Sequence, residues 1–460
     1  MKFRLFDKVY MTDLQPVAAV EIERALTLPN KAKEQLVKMG KWAGDMPDSL
    51  TYSESFVIQG ETILAVPRGA GLRAFKIVSR YHGKDYTLTD ERTELPPVQF
   101  EFKGTLKSFQ EDAITELIKN SSGILVFPTG GGKTVAMLSL IARRGQPTLV
   151  IVDKKELLYQ WQDRACQFLD ISPDAIGIIG AGKFSIGDRL TIGTIQTISK
   201  HMDELKDKFG QVIVDECHKA AAPIFSEAIT QFTAKFIHGC TATPIRNDGQ
   251  TEALKFYIGE IIYQIDKQDL LNNGDLCQAR FTQIPTAFDS TLDGSTAYTQ
   301  LLTELVNDGK RNRLICQTIA DYKTDGLSLI LSGRIDHCSV LQKILKRNYD
   351  IDAHVVTGSL SAKKRDEVFT KIKSGAAKYI IATTSLLKEG FDLPVLQSLF
   401  LTFPVKWEGS VIQMIGRILR PAKGKQYAMI IDFNDINVGV LKNSARVRAG
   451  VYKAEKVREV

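Results

Sequence analysis

The segment Pro128-Thr129-Gly130-Gly131-Gly132-Lys133-Thr134 puts three glycines, a lysine and hydroxyls into one short stretch. Consecutive glycines let main-chain N–H groups curl around phosphate oxygens, and the start of a following helix adds partial positive charge. In that arrangement Lys133 holds the β- and γ-phosphates of a nucleoside triphosphate and Thr134 ligates Mg²⁺. Phe127 stands where the strict pattern has its first glycine, so a glycine-rich turn without a ligand is the competing reading. A second segment, Val212-Ile213-Val214, runs into Asp215-Glu216-Cys217-His218. Ligands of parallel sheets bind at strand C-terminal ends, and adjacent acids leave such an end in different directions. Asp215 is therefore expected on the metal and Glu216 on the attacking water. An isolated Asp-Glu is otherwise a solvated loop. His218 either bonds locally or links this point to Thr241-Ala242-Thr243.

Gln413, Arg417 and Arg420, in SVIQMIGRILRP, are four and seven residues apart. Helical spacing puts all three on one face, and paired arginines suit an anion. As arginine fingers they stabilise charge on a transferring phosphoryl group, worth about 10³ to 10⁵ in rate. A salt-bridged surface helix is the plainer alternative.

From Asn120 onward, short apolar runs alternate with helical segments, the pattern of a parallel sheet covered on both faces. GILVFPT, TLVIVD, RLTIGTI, QVIVDE and FIHGCTAT read as strands of a first α/β unit, with helices in TVAMLSLIARR and KELLYQWQDRACQFL. SLILSGR, DAHVVTG, KYIIATT, QSLFLTF and YAMIIDF read as strands of a second. Before them, SFVIQ and TILAV flank Gly60-Glu61 as a hairpin, and Leu95-Pro96-Pro97 reads as a linker. The expected division is a small α+β domain at 1–97, α/β domains at 98–255 and 256–440, and a basic tail at 441–460. Val66-Pro67-Arg68-Gly69-Ala70-Gly71-Leu72-Arg73 follows the hairpin, and Arg68 and Arg73 offer forked donors to phosphate. A solvated turn is the competing reading there.

The 460 residues carry 60 basic and 53 acidic side chains, a net charge of +7, which favours polyanions without proving that one is bound. Lys442, Arg446, Arg448, Lys453, Lys456 and Arg458 face only Glu455 and Glu459, so the tail reads as a solvated helix face or a phosphate contact. Six scattered cysteines with no CxxC pair argue against a zinc site or a disulfide framework. No apolar run is long enough for a membrane span or a signal peptide, so the expected location is the cytoplasm, away from membranes.

These segments together resemble the superfamily 2 helicases over roughly residues 104 to 435. The resemblance implies two tandem RecA-like domains beside the small N-terminal one. It also implies one ATP site, since the second domain has no phosphate loop, with ATP and Mg²⁺ as cofactors. The nucleotide would meet Thr129, Gly130, Gly131, Gly132, Lys133 and Thr134, with Gln110 of Leu106-Lys107-Ser108-Phe109-Gln110 reading adenine; Lys107 stands where arginine is common. Val150–Leu158 with Lys154, and Gly193–Thr197 with Thr194 and Gln196, resemble segments that grip a strand backbone. Val356-Thr357-Gly358 and Ala382-Thr383-Thr384 are similar to their counterparts, placing Thr357 and Thr383 on DNA. Glu389-Gly390-Phe391-Asp392 resembles the segment coupling DNA to ATP, so Asp392 falls with the nucleotide, and His218, Thr241, Thr243 and Gln413 with coupling. Thr241–Gly249, including Arg246 as a DNA contact, looks like XPB-like and UvsW-like DNA helicases more than DEAD-box RNA helicases. The small N-terminal domain and compact size look most like phage recombination helicases. The implied activity is an ATP-dependent, 3′ to 5′ DNA helicase or translocase acting as a monomer on forked or branched DNA in replication, recombination or repair. An RNA helicase, or an ATP-switched clamp without unwinding, are the alternatives.

Overall fold

A computed structural model describes the chain apart from residues 84, 222, 243–249, 293–295, 323, 325, 359, 361, 385–394, 406–407 and 423–424. Side chains at 35, 220, 221, 223, 250, 362, 363, 365, 366, 373, 408–410 and 413 are likewise not described. Thr243, Arg246 and Asp392 lie outside the described residues, as does the side chain of Gln413. The chain divides into two compact units, Met1–Phe127 with Gly132–Ile265, and Pro128–Gly131 with Asp266–Val460. The boundary expected at 255/256 falls inside a helix, Gln250–Ile258, which stays wholly with the first unit.

The first unit is built on an eight-stranded sheet. Its order is Lys183–Phe184, Ile176–Gly180, Leu190–Thr194, Thr148–Val152, Gln211–Asp215, Phe236–Thr241, Ser122–Val126 and Ile261–Gln264. Every pairing is parallel except that of Lys183–Phe184. The central strands Thr148–Val152 and Gln211–Asp215 are rich in Val, Ile and Leu, as strands covered on both faces require. Leu149, Ile151, Val212, Val214 and Ile237 lie in one core with Phe209, Phe225 and Phe232. Parallel pairing sends the C-terminal ends of Ser122–Val126, Gln211–Asp215 and Phe236–Thr241 to one sheet edge, where Lys133, Asp215 and Thr241 meet.

Among its described residues the second unit has a seven-stranded sheet, all parallel: Ala353–Val356, Tyr379–Thr383, Leu327–Ser332, Leu396–Leu401, Tyr427–Asp435, Gln278–Thr286 and Arg458–Glu459. The basic tail is part of this body, correcting its reading as a separate segment. Helix Gly439–Ala454 buries Leu441, Ala445, Val451 and Tyr452, and the Arg448 guanidinium grips Asp432 at 2.8 and 2.9 Å. Lys442, Arg446, Lys453, Lys456 and Arg458 stay exposed. Both units match the RecA-like reading.

The N-terminal domain is a five-stranded sheet, Glu54–Ile58, Glu61–Pro67, Lys8–Thr12, Lys2–Leu5 and Thr87–Asp90, covered by helices Pro16–Ala25 and Gly71–His82. Its hairpin turns at Gln59-Gly60 rather than Gly60-Glu61: Ile58 pairs with Glu61, and the turn residues have φ of +52° and +85°, as a type I′ turn requires. Arg68 is half-buried and its guanidinium is turned inward, one nitrogen donating to Ala234 O and another to Lys235 O at 2.8 Å. Arg73 pairs with Glu252 at 2.8 Å and lies over the Phe256 ring. A Cβ on Gly69 would collide with the carbonyl of Lys255 and the amide of Gly259, so only glycine permits this approach. Phe256 joins the core of the N-terminal domain with Phe3, Val9, Met11 and Val66. The expected duplex-binding arginines are thus the clasp that fastens this domain to the first sheet.

Leu95-Pro96-Pro97 is no free linker either. Leu95 exchanges hydrogen bonds with the Gln146 amide, both at 2.9 Å, and Val98 N donates to Gly145 O at 2.8 Å. Two prolines favour the extended form that such a strap needs. All six cysteines are free. Among the described residues no helix is long and apolar enough to cross a membrane.

Candidate ATP site and strand-facing edge

Strand Ser122–Val126 runs into the glycine loop, and helix Lys133–Arg144 starts directly after Gly132, whose φ of +81° closes the turn. Gly130 has φ of +92°. Gln110, 5% exposed, stands against Gly132 so closely that a Cβ there would strike its Nε2, while its Oε1 accepts from Lys107 N at 3.0 Å. The glutamine expected to read adenine therefore also braces the loop. Thr134 follows Lys133 as the second residue of the helix.

Lys133 Nζ lies 3.1 Å from Glu216 Oε1, with both side chains largely buried. Burial works against the Lys133 charge, but the Glu216 and Asp215 carboxylates outweigh it and hold the ammonium above its ordinary range. Burial opposes the Glu216 charge too, yet Lys133 and His218 keep that carboxyl well below the usual carboxylate range. Asp215 moves the other way: burial and the Glu216 charge raise it, against Lys133, Trp161 and Cys240. Glu216 has φ of +47°, a costly geometry for a residue with a Cβ. The two carboxylates take different partners, Asp215 with Trp161 and Cys240 and Glu216 with Lys133 and His218.

Two partners of Asp215 escaped the sequence reading. Trp161 Nε1 donates to Asp215 Oδ2 at 2.8 Å, and Cys240 Sγ to Oδ1 at 3.4 Å. The Glu216 amide also donates to Oδ1, at 2.9 Å. Trp161 comes from helix Lys155–Phe168, where its apolar periodicity marks only a core position. Parallel pairing with Phe236–Thr241 brings Cys240 level with Asp215. His218 Nδ1 sits 2.9 Å from Thr241 Oγ1 and 3.3 Å from Glu216 Oε2, joining the acidic pair to the next strand as anticipated.

The strand-facing residues divide. Lys154 and Gln196 are exposed at the same sheet edge, and Gln196 reaches Asp153 at 3.5 Å. Lys219 holds the other Asp153 oxygen at 2.5 Å. Thr194, Thr357 and Thr383 are buried at 7%, 4% and 6% exposure, because strand-end residues with branched side chains pack into the sheet edge. The Thr194 hydroxyl faces that of Thr197 at 3.1 Å. Arg417 lies in helix Glu408–Ile418, but Arg420 falls two residues beyond its end. Pro421 disfavours helical geometry at the residue before it, and with Arg420 outside the helix the two arginines do not share a helix face as the spacing suggested. Lys425 Nζ caps the chain there, donating to Ile418 O at 2.5 Å and Arg420 O at 2.9 Å.

Residues 103–246 match the family described as "Type III restriction enzyme, res subunit", and residues 310–422 match "Helicase conserved C-terminal domain". The chain belongs to the superfamily 2 helicases. The helicase is 24% identical over 368 residues to "DNA 3'-5' translocase XPB2" of Sulfurisphaera tokodaii, covering 71% of this chain and 81% of that one. It is 26% identical over 359 residues to "ATP-dependent DNA helicase uvsW" of Enterobacteria phage T4, covering 74% and 70%. Among solved structures it shares its fold with Saccharomyces cerevisiae Dbp5 bound to RNA and ADP BeF3, at a TM-score of 0.53 and 16% identity over 77% of this chain and 89% of that one. Membership makes the helicase an ATP-hydrolysing enzyme that acts on nucleic acid.

Proposed function

We propose that this helicase is an ATP-driven DNA translocase that moves 3′ to 5′ and remodels forked or branched DNA. The observation that carries the motor chemistry is the Lys133–Glu216–Asp215 cluster at the edge of the first sheet. Lys133, already charged in that cluster, exchanges Glu216 for the terminal phosphates of ATP. Glu216, released from Lys133 and held by His218, accepts a proton from the attacking water. Asp215 and Thr134 are the residues that would hold Mg²⁺. The fit rests on the donor set: Asp215 is a buried carboxylate whose charge is disfavoured as it stands, and a divalent cation relieves that cost. When bound, the ion neutralises charge developing on the transferred phosphoryl group. Arg417 and Arg420 are assigned to the same charge.

Support for DNA over RNA comes from the two relatives named as a DNA translocase and a DNA helicase. ATPase assays with single-stranded, duplex, forked and four-way DNA beside single-stranded RNA test the reading. Turnover is expected to rise most with branched or single-stranded DNA. Greater stimulation by RNA would overturn the substrate assignment, and no stimulation by any nucleic acid would overturn the motor.

A further inference from the structure

Trp42 is 89% exposed, more than any other large apolar side chain among the described residues. Met39 and Val37 beside it are 67% and 61% exposed. Together the three side chains leave a cluster of apolar surface in water around an aromatic ring, the kind of patch that marks an interaction site. The surface is built. Strands Thr27–Pro29 and Ser49–Thr51 pair at its base. Asn30 ties the two sides together, its amide side chain donating to Pro47 O at 3.0 Å and its main-chain N–H to Asp48 O at 2.8 Å. Lys33 adds an ion pair to Asp48 at 2.8 Å. Helix Lys31–Lys38 then ends in a tight return, with Lys41 N donating to Leu36 O at 2.9 Å. Trp42 lies against Gly44, where a Cβ would sit 3.4 Å from ring atoms Cη2 and Cζ3. One part of the indole is thereby braced by main chain and the rest is open.

Charge says what fits. Lys31 and Lys33 are engaged by Glu34 and Asp48, while exposed Lys38 and Lys41 make no ion pair among the described residues. Lysine is depleted where proteins meet proteins, whereas an aromatic ring flanked by lysines suits a base and its neighbouring phosphates. The clasp of Arg68 and Gly69 fixes this domain to the first sheet, so the tip travels with the motor.

We propose that this tip is a base-stacking platform: Trp42 takes an unpaired nucleobase of the bound strand while Lys38 and Lys41 meet adjacent phosphates. The proposal rests on the nucleic-acid motor reading and gives the N-terminal domain a contact in place of its two arginines.

The test uses the full chain carrying Trp42→Ala, Trp42→Phe or the pair Lys38→Ala with Lys41→Ala, titrated by fluorescence anisotropy into a labelled fork with unpaired arms and a blunt duplex of equal length. Thermal midpoints, light scattering and ATPase without nucleic acid are measured beside them. Trp42→Ala is expected to weaken fork binding about tenfold, within the range of base–aromatic stacking, and to spare the duplex. Trp42→Phe should recover most of the loss, and the lysine pair should lower the salt slope by roughly two. Basal ATPase and thermal midpoint should not move. Unchanged fork affinity in Trp42→Ala overturns the platform, as does an equal loss on the blunt duplex. Altered self-association with fork affinity intact overturns it in favour of a protein interface. If no nucleic acid stimulates the wild-type chain, the motor reading fails and the platform with it; if DNA stimulates but Trp42→Ala binds normally, the platform alone fails.

Discussion

At the scale of single residues, the site is a balance of charges that ATP has to disturb. Lys133 is the cation paired with Glu216, so Lys133→Ala should abolish turnover in a folded protein. Glu216→Gln should retain nucleotide binding and stop hydrolysis, because only the proton acceptor is lost; steady-state ATPase and a fluorescent-nucleotide titration separate the two. Trp161 gives a subtler outcome. Its indole N–H fixes one Asp215 oxygen, and removing a partner of a metal-holding carboxylate typically costs about 10- to 100-fold in metal affinity. Trp161→Phe should therefore raise the Mg²⁺ concentration for half-maximal ATPase by roughly tenfold, with maximal turnover recovered at high Mg²⁺; a proportional loss at every Mg²⁺ concentration would show that the indole acts otherwise. Asp215 and Glu216 stood out in the sequence because an apolar run ending in two acids follows a glycine-rich loop with a lysine in the same chain. Trp161 and Cys240 were not, since both read as core and only the folded sheet brings them to Asp215.

At the scale of elements, strands were read well where both faces are buried, as in Gln211–Asp215 and Leu327–Ser332, whose residues are mostly apolar and wholly buried. Gln278–Thr286 was missed. Its polar residues alternate with apolar ones, it carries Pro285, and its parallel partner Tyr427–Asp435 lies far along the chain. Helix Glu408–Ile418 was placed correctly but continued too far, past the constraint that Pro421 puts on Arg420. Arg417→Ala and Arg420→Ala are each expected to lower turnover far more than ATP affinity, because charge on the phosphoryl group develops only during reaction. A variant that loses affinity alone would remove that arginine from the reaction. Arg68 makes the opposite kind of prediction. Its guanidinium satisfies the carbonyls of Ala234 and Lys235, and orphaning buried acceptors costs about 1 to 3 kcal/mol each. Arg68→Ala should lower the urea midpoint clearly and leave the salt dependence of DNA binding in place; weaker DNA binding at unchanged stability would return the residue to nucleic acid.

At the scale of the whole molecule, stability should respond to mild acid through two neutral histidines. Burial pulls His238 down to about 3, helped by Arg144, and burial beside Arg311 does the same for His337. The unfolded chain takes up a proton on each as pH falls below about 6.5, whereas the folded chain refuses it until near 3. Stability present above pH 6.5 is therefore lost on descending through that window, by at most about 1.4 kcal/mol per pH unit for each histidine. Urea unfolding at pH 7.5, 6.5 and 5.5 checks the slope before most carboxylates titrate, and His337→Asn should shallow it; a flat profile would contradict the burial. The seam at Gly69 has a practical corollary for anyone dissecting the protein. Phe256 lies in helix Gln250–Ile258 beside the first sheet but is covered by the N-terminal domain, with Tyr52 packed 5.2 Å from its ring. A deletion ending near Val98 would uncover that greasy surface and two unsatisfied carbonyls, so the shortened protein is expected to precipitate rather than report on DNA. Solubility, not catalysis, would be what such a truncation measures, and the domain's duties are better assigned by substitutions at its tip.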